Sequence, residues 1–316
     1  MTPTIQGARP QAARRSSLAA KESRYFWLCI SPWIVGFVLF QGGPIVASLL
    51  LSLTEWNLLR DPEWVGFGNF VKLFTRDEVF MTSLVNTAYY TVGHIVPTVV
   101  LALGAALLLN RGIRGLPLYR TIYYVPTIVP IVATAVLWKW IFNPNFGLLN
   151  AGLELVGIPK IPWLGSLEWA MPAIIIMSWW SFGVGMVVLL AGLQGVPEHL
   201  LEAARIDGAN AWHEFWHVVV PMISPVLFFV IIVQVIGSFQ IFTPTYIMTE
   251  GGPGNATLTI VLYLYRNGFQ YFQMGYASAI AWVLVVVVLA ATLLQFRIGK
   301  AWVYYEGDTK PTADKP

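Results

Sequence analysis

Charge is scarce in this sequence: Asp, Glu, Lys and Arg make up 11% of its 316 residues, against roughly a quarter in a typical soluble domain. A soluble globular fold is excluded on that ground. Cysteine is rarer still. The single residue Cys29 allows no intramolecular disulfide and no multi-cysteine metal cluster, so it is expected to serve as a small buried hydrophobe. No Gly-Lys pair followed by Ser or Thr closes a G-x-x-x-x spacing. That excludes a phosphate-cradling P-loop and leaves the Gly-rich GGPGNAT (251–257) as a turn. Asp and Glu are also missing from the interiors of the apolar runs, with Glu55 and Glu168 only at their edges. A secondary transporter driven by an ion gradient would need membrane-embedded acids or broken helices to hold its coupling ion, so the missing acids argue against that class.

Apolar residues are abundant, at 57% of the chain, and long runs of them recur at 26–54, 82–110, 121–142, 168–194, 222–248 and 276–296. Each is long enough to cross a hydrocarbon core, which takes about 20 helical residues. Backbone amides in lipid must be paired internally, and runs without period-2 alternation achieve this as helices, not as barrel strands. The expected fold class is therefore an all-α integral membrane protein with six transmembrane helices. The first run is too long for a signal-peptide core, so it is expected to remain as a span. Residues 1–25 read as a disordered tail, and 297–316 as a second tail. Segments 54–80 and 143–167 mix aromatic or aliphatic residues with polar ones, predicting a short helix along the membrane surface in each.

Basic residues set the orientation, because positively charged flanks are retained in the cytoplasm. Arg9, Arg14, Arg15, Lys21 and Arg24 precede span one; Arg111, Arg114 and Arg120 lie between spans two and three. Arg205 lies between spans four and five, and Arg297, Lys300, Lys310 and Lys315 follow span six. The opposite side holds Arg60, Lys72, Arg76, Lys160 and Arg266, with Lys139 left at the end of span three. Both termini are expected in the cytoplasm, and the net charge of +3 reflects topology, not a nucleic-acid partner.

The loop GVPEHLLEAARIDGANAWHEFWHVVVPMISP (195–225) is the informative one. Pro197 suits a helix's first turn, Glu198 and Glu202 suit its N-terminal end, and Gly208 suits a left-handed stop. Leu200, Leu201 and Ala204 form an apolar patch at helical spacing, which either docks on a partner or packs on the chain's own spans. A second short helix is expected at about 211–219, with Pro221 marking the return into the membrane. His213-Glu214-Phe215-Trp216-His217 fits the H-E-x-x-H pattern of zinc metalloproteases. A catalytic zinc needs a third protein ligand, and none follows His217 before Glu250 beyond span five. A polar amphipathic helix carrying two histidines is the preferred reading, with no metal site.

The same loop resembles the signature of permease subunits of bacterial ATP-binding-cassette (ABC) importers: Glu-Ala-Ala, three residues, Gly, nine residues, Ile, one residue, Leu-Pro. Here Glu202-Ala203-Ala204 is followed at the right distances by Gly208, by Val218 for the Ile, and by Val220 for the Leu before Pro221. YYVPTIVPIVATAVLWKWIFNPNFGLLN (123–150) and FQIFTPTYIMTEGGPGNATLTIVLYLY (239–265) look like segments of maltose-permease-like carbohydrate importers. The resemblance implies a type I ABC importer permease of a bacterial inner membrane, with a sister permease, two ATPase subunits carrying ATP and Mg, and a solute-binding protein as partners. It implies no covalent chemistry on this chain and no cofactor bound by it. It also implies a coupling helix spanning Glu198 to Gly208, with Glu198, Glu202, Ala203, Ala204, Asp207 and Gly208 meeting the ATPase; a non-sugar solute is the alternative cargo.

Polar side chains inside spans are costly and usually face the bundle interior. Ser178, Trp180 and Ser181 in span four, and Gln234, Ser238 and Ile241 in span five, are the expected pathway residues. Aromatic faces beside hydrogen-bonding groups suit a sugar ring. The competing reading is that the serines and glutamine only bond between helices while Trp anchors at the interface.

Overall fold

A computed structural model describes residues 12–111 and 114–304. Residues 1–11 and 305–316, the outer parts of the two expected tails, lie outside the described residues. The expected disorder of 1–25 gives way to helix from Ala12 onward. Ala, Arg, Ser, Lys and Glu between 12 and 24 are tolerable to good helix formers, and no breaker separates them from span one.

The fold is helical: the described residues hold four helices long and apolar enough to cross a membrane unaided and two bent pairs that complete six spans. Span one runs Ala12–Phe37, through a single wide π turn at Val38–Gly42, into Gly43–Ser52. Span two is Glu78–Leu109 and span six Met274–Gly299. Cys29 is exposed on span one, not buried as its residue type suggests, because the window of that span most typical of a membrane segment buries none of its residues within this chain.

Span five differs from expectation at both ends. The short helix expected at 211–219 and the span expected at 222–248 are one continuous helix, Ala211–Phe239, and Thr243–Thr249 is a separate helix beyond it. Pro221 therefore does not start the span. A π turn, Phe215–Val219, directly precedes it, as the π turn of span one directly precedes Pro44. The widened turn accommodates a ring that would clash with a carbonyl of a regular helix.

Spans three and four are bent. Span three is Leu116–Ile128 and Ile131–Ile141, inclined by 94°. Pro130 forces Val129 into an extended conformation (φ −67°, ψ 129°), so the helix must stop there. Span four is Ala170–Trp179 and Gly183–Gln194, inclined by 43°. No proline sits at that break. A Cβ at Gly183 would lie 2.5 Å from the Tyr123 carbonyl oxygen, so the bend falls where span four presses on the backbone of span three.

Span two is the hub of the bundle, packing on both halves of span four and on span five. Ala102, Ala105 and Ala106 are buried along it, and Gly185 sits close enough for an added Cβ to come 3.3 Å from that of Ala102. Small residues give helices in lipid the close contact that apolar character alone does not drive.

The two ends of the bundle are built differently. Of the described residues, the tail end carries 110, 111, 114 and 115, the 195–210 loop and 300–304. The far end carries an antiparallel pair, Thr54–Glu55 with Glu63–Trp64, and helices Gly68–Thr75 and Leu148–Leu155. The 54–80 segment thus adds a strand pair to the single helix expected there. Asp77 latches the far end: its Oδ1 caps span two by accepting from the Phe80 N–H at 2.9 Å. Its Oδ2 accepts the Tyr263 hydroxyl at 2.6 Å and that of Tyr276. The Gly-rich turn is pinned to span two, with Asn86 Nδ2 donating to the Asn255 and Leu258 carbonyls at 2.8 and 3.1 Å.

Candidate functional site

At the tail end, the chain turns through a helical hairpin. Helix Glu198–Ile206 follows Pro197 and carries Glu198 in its first turn. It stops at Gly208, whose φ of +83° is left-handed. The Gly208 N–H donates to the Arg205 carbonyl at 3.1 Å and the Ala209 N–H to that of Ala204 at 2.9 Å, the paired bonds of a left-handed helix stop. Nothing lies within 4 Å of where a Cβ at Gly208 would be, so glycine is needed there for conformation and not for space. Asn210 opens the next helix, its Oδ1 accepting from the N–H groups of Trp212 and His213 at 3.1 and 2.9 Å.

Glu198, Glu202, Ala203 and Asp207 are exposed, and Ile206 is 86% exposed. Leu200, Leu201 and Ala204 are half-buried, so the apolar patch packs on the chain's own spans. The outward face is a different one: acidic, with small Ala203 and apolar Ile206 at its centre.

In the H-E-x-x-H stretch, the Glu214 carboxylate and the Nδ1 atom of each histidine have hydrogen-bond partners. Glu214 takes two bonds from Arg205, His213 Nδ1 lies 2.7 Å from Asn210 Oδ1, and His217 Nδ1 lies 3.1 Å from the His213 carbonyl. Among the described residues no three His, Cys, Asp or Glu side chains converge as a metal site.

Midway along the bundle lies a polar cluster that joins three spans. His94 of span two lies with Nδ1 2.8 Å from Ser178 Oγ of span four and 3.3 Å from Thr98 Oγ1. Its Nε2 lies 3.3 Å from Gln234 Oε1 of span five. The Tyr90 ring is stacked one turn away, 5.5 Å between centroids and 4° between planes. His94 falls inside the apolar run 82–110, and its partners stand 84 and 140 residues away. The available signal was an ionisable side chain at mid-span.

The six expected pathway residues divide into two groups. Ser178 and Ser238 are buried, and their hydroxyls donate to the Ile175 and Val235 carbonyls of their own helices at 2.6 and 2.8 Å. Ile241 is buried in an apolar cluster with Met171, Ile174 and Met248. These three make their contacts within the chain. Trp180 and Ser181 are exposed at the break of span four, and Gln234 is half-buried. The Trp180 ring stands edge-to-face on Trp138, 5.9 Å between centroids.

Six spans, two of them broken, around a polar midpoint and with an ordered hairpin at one end define a multi-span transport component. Residues 98–303 match the family described as binding-protein-dependent transport system inner membrane component, and the chain belongs to that family. It is 41% identical over 306 residues to the probable ABC transporter permease protein YesP of Bacillus subtilis strain 168, covering 96% of this chain and 99% of that one. It is 36% identical over 290 residues to the lactose transport system permease protein LacF of Rhizobium radiobacter, covering 89% and 96%. Among solved structures, a chain of a bacterial alginate ABC transporter, in complex with an alginate pentasaccharide-bound periplasmic protein, shares the fold. Its TM-score is 0.77 at 23% identity, covering 89% of this chain and 96% of that one. The chain is thus an ABC permease subunit of type I importer fold. It is not itself catalytic, since in this family the ATPase is a separate subunit.

Proposed function

We propose that this permease carries a sugar, or a related polyol or glycoside, through a pathway it forms with a sister permease. The observation that carries the reading is the break in span four, which exposes an indole face, Trp180, beside a hydroxyl, Ser181. Such a pairing offers a pyranose its apolar face contact and a hydrogen bond. Relatives named for lactose, for trehalose and maltose, and for arabinooligosaccharides support it. A solute-binding protein delivers the cargo, and two ATPase subunits, holding ATP and Mg, power the cycle.

The tail end faces the cytoplasm in this reading, so both termini and the hairpin lie there, in a bacterial inner membrane. The coupling face is Glu198, Glu202, Ala203, Asp207 and exposed Ile206, with Ala204 and Gly208 holding its shape. ATP binding closes the ATPase dimer, draws the hairpins together and turns the pathway outward; hydrolysis resets it. Trp180, Ser181 and Gln234 meet the solute, while Ser178, Ser238 and Ile241 lie behind them.

The broken spans three and four resemble the discontinuous helices of ion-coupled transporters, but no acid lies inside them. Uptake into vesicles reconstituted with the partner subunits tests the reading. Transport of a sugar is expected to require ATP and the ATPase, to survive an uncoupler, and to weaken on Trp180→Ala. Uptake abolished by an ionophore and indifferent to ATP overturns it.

A further inference from the structure

Span two grips span four immediately before its break. The Trp179 indole N–H donates to the Gly93 carbonyl at 3.0 Å, and the next residue of span two, His94, meets Ser178 at 2.8 Å. A Cβ on Gly93 would come 2.8 Å from Ile175 Cδ1, so the two helices are in close contact there. Two consecutive residues of span two thus hold the last turn of the half-helix Ala170–Trp179, and the chain bends directly afterwards at Trp180 and Ser181. The third link, from His94 Nε2 to Gln234 at 3.3 Å, brings in span five.

The bonding is one-directional in a useful way. The Ser178 hydroxyl proton is committed to the Ile175 carbonyl, so His94 Nδ1–H donates to Ser178 Oγ. A neutral imidazole then accepts at Nε2, and the Gln234 amide, whose oxygen and nitrogen exchange places by rotation about its last torsion, presents its NH2 there. Both ring nitrogens of His94 have a partner, and an imidazole stacked on Tyr90 has little freedom to leave. A hydrogen-bonded polar cluster that joins three helices favours the one arrangement that keeps its bonds.

We infer that His94 is a positioning residue: it does not touch the solute, and it sets how Trp180, Ser181 and Gln234 are presented to the pathway. This rests on the reading of those three residues as solute contacts. His94→Leu removes the link between the three spans and leaves a similar volume. His94→Gln keeps an acceptor and a donor at the same place.

The test uses the complex reconstituted with its partner subunits and has two independent readouts. The first is independent of cargo: in a Cys29→Ser background, the rate at which a small thiol reagent labels Ser181→Cys in the assembled complex. His94→Leu is expected to change that rate, and His94→Gln to leave it near the parent. The second is the solute KM of uptake, which His94→Leu is expected to raise about three- to tenfold, the effect of one net hydrogen bond, with the conservative variant restoring it. If His94→Leu does not assemble, Ser178→Ala removes the same link from the other side and carries both readouts. A labelling rate and KM equal to the parent in an assembled His94→Leu or Ser178→Ala complex overturns the inference. A labelling change together with a Trp180→Ala complex of unaltered KM upholds the positioning role and overturns the pathway reading instead.

Discussion

Arg205 and Glu214 close the tail-end hairpin with two parallel hydrogen bonds, Nε to Oε2 at 3.1 Å and Nη2 to Oε1 at 2.9 Å. The bidentate fork fixes orientation as well as distance. It ties the helix bearing the Glu-Ala-Ala motif to the helix that continues into span five. Movement of the first is therefore passed to the second. Arg205→Ala leaves insertion intact but loosens that link. ATPase retained on the purified permease is expected to fall several-fold, with less effect at high salt, where an exposed pair is already weakened.

Gly208 is left-handed at φ +83° with open space around it, so the cost of a side chain there is conformational, about 1–2 kcal/mol for Ala. Gly208→Ala is expected to keep partial coupling, and Gly208→Pro, whose φ cannot be positive, to abolish it. Co-purification of the ATPase with each variant gives the measurement. Glu202→Lys reverses the charge of the exposed face and is expected to match the proline variant; normal co-purification of either would count against the coupling assignment.

Asp77 accepts one backbone and two phenolic hydrogen bonds. Asp77→Ala removes a helix cap worth about 1 kcal/mol and strands two hydroxyls at about 1 kcal/mol each. The detergent-solubilised protein is expected to unfold several degrees lower. Burial, and then the bond to Asp77, raises the Tyr263 phenol above its ordinary range. Its folded-state value thus exceeds its unfolded one. The stability it contributes is complete below about pH 10, the ordinary tyrosine value, and is lost as pH rises beyond that. Tyr263→Phe is expected to flatten the alkaline limb of a melting-temperature profile.

His213 and His217 stack at 5.8 Å between ring centroids, but Glu214 between them belongs to Arg205. Metal analysis of the purified chain is expected to show no stoichiometric zinc, and His213→Ala is expected to leave ATPase-driven uptake near the parent rate. Zinc at one equivalent would restore the metalloprotease reading.

Much of this molecule was legible in its residues, for identifiable reasons. The six apolar runs and the internal pairing demanded by lipid set the span count. Pro197 and Gly208 bracketed the first hairpin helix almost to the residue. Pro130 marks the break of span three, though its 94° angle depends on what the second half packs against. The break of span four carries no such mark, because it arises where Gly183 meets the backbone at Tyr123, a contact between segments some 60 residues apart. The continuity of Ala211–Phe239 was hidden behind Pro221, since a π turn absorbs a proline that composition alone reads as a boundary.

The candidate site divides along the same line. Local chemistry decided the hairpin: its cap, its acidic first turn and its Glu-Ala-Ala spacing are all short-range, and a helix of 9 residues expresses them wherever it stands. Which polar side chains face a pathway is a long-range property. Ser178, Ser238, Trp180 and Ser181 are equivalent as intramembrane polar or aromatic residues, and only packing buried the first two and exposed the others. His94 acquired its role in the same way, because a histidine in lipid must find partners, and the fold alone brought Ser178 and Gln234 within its reach.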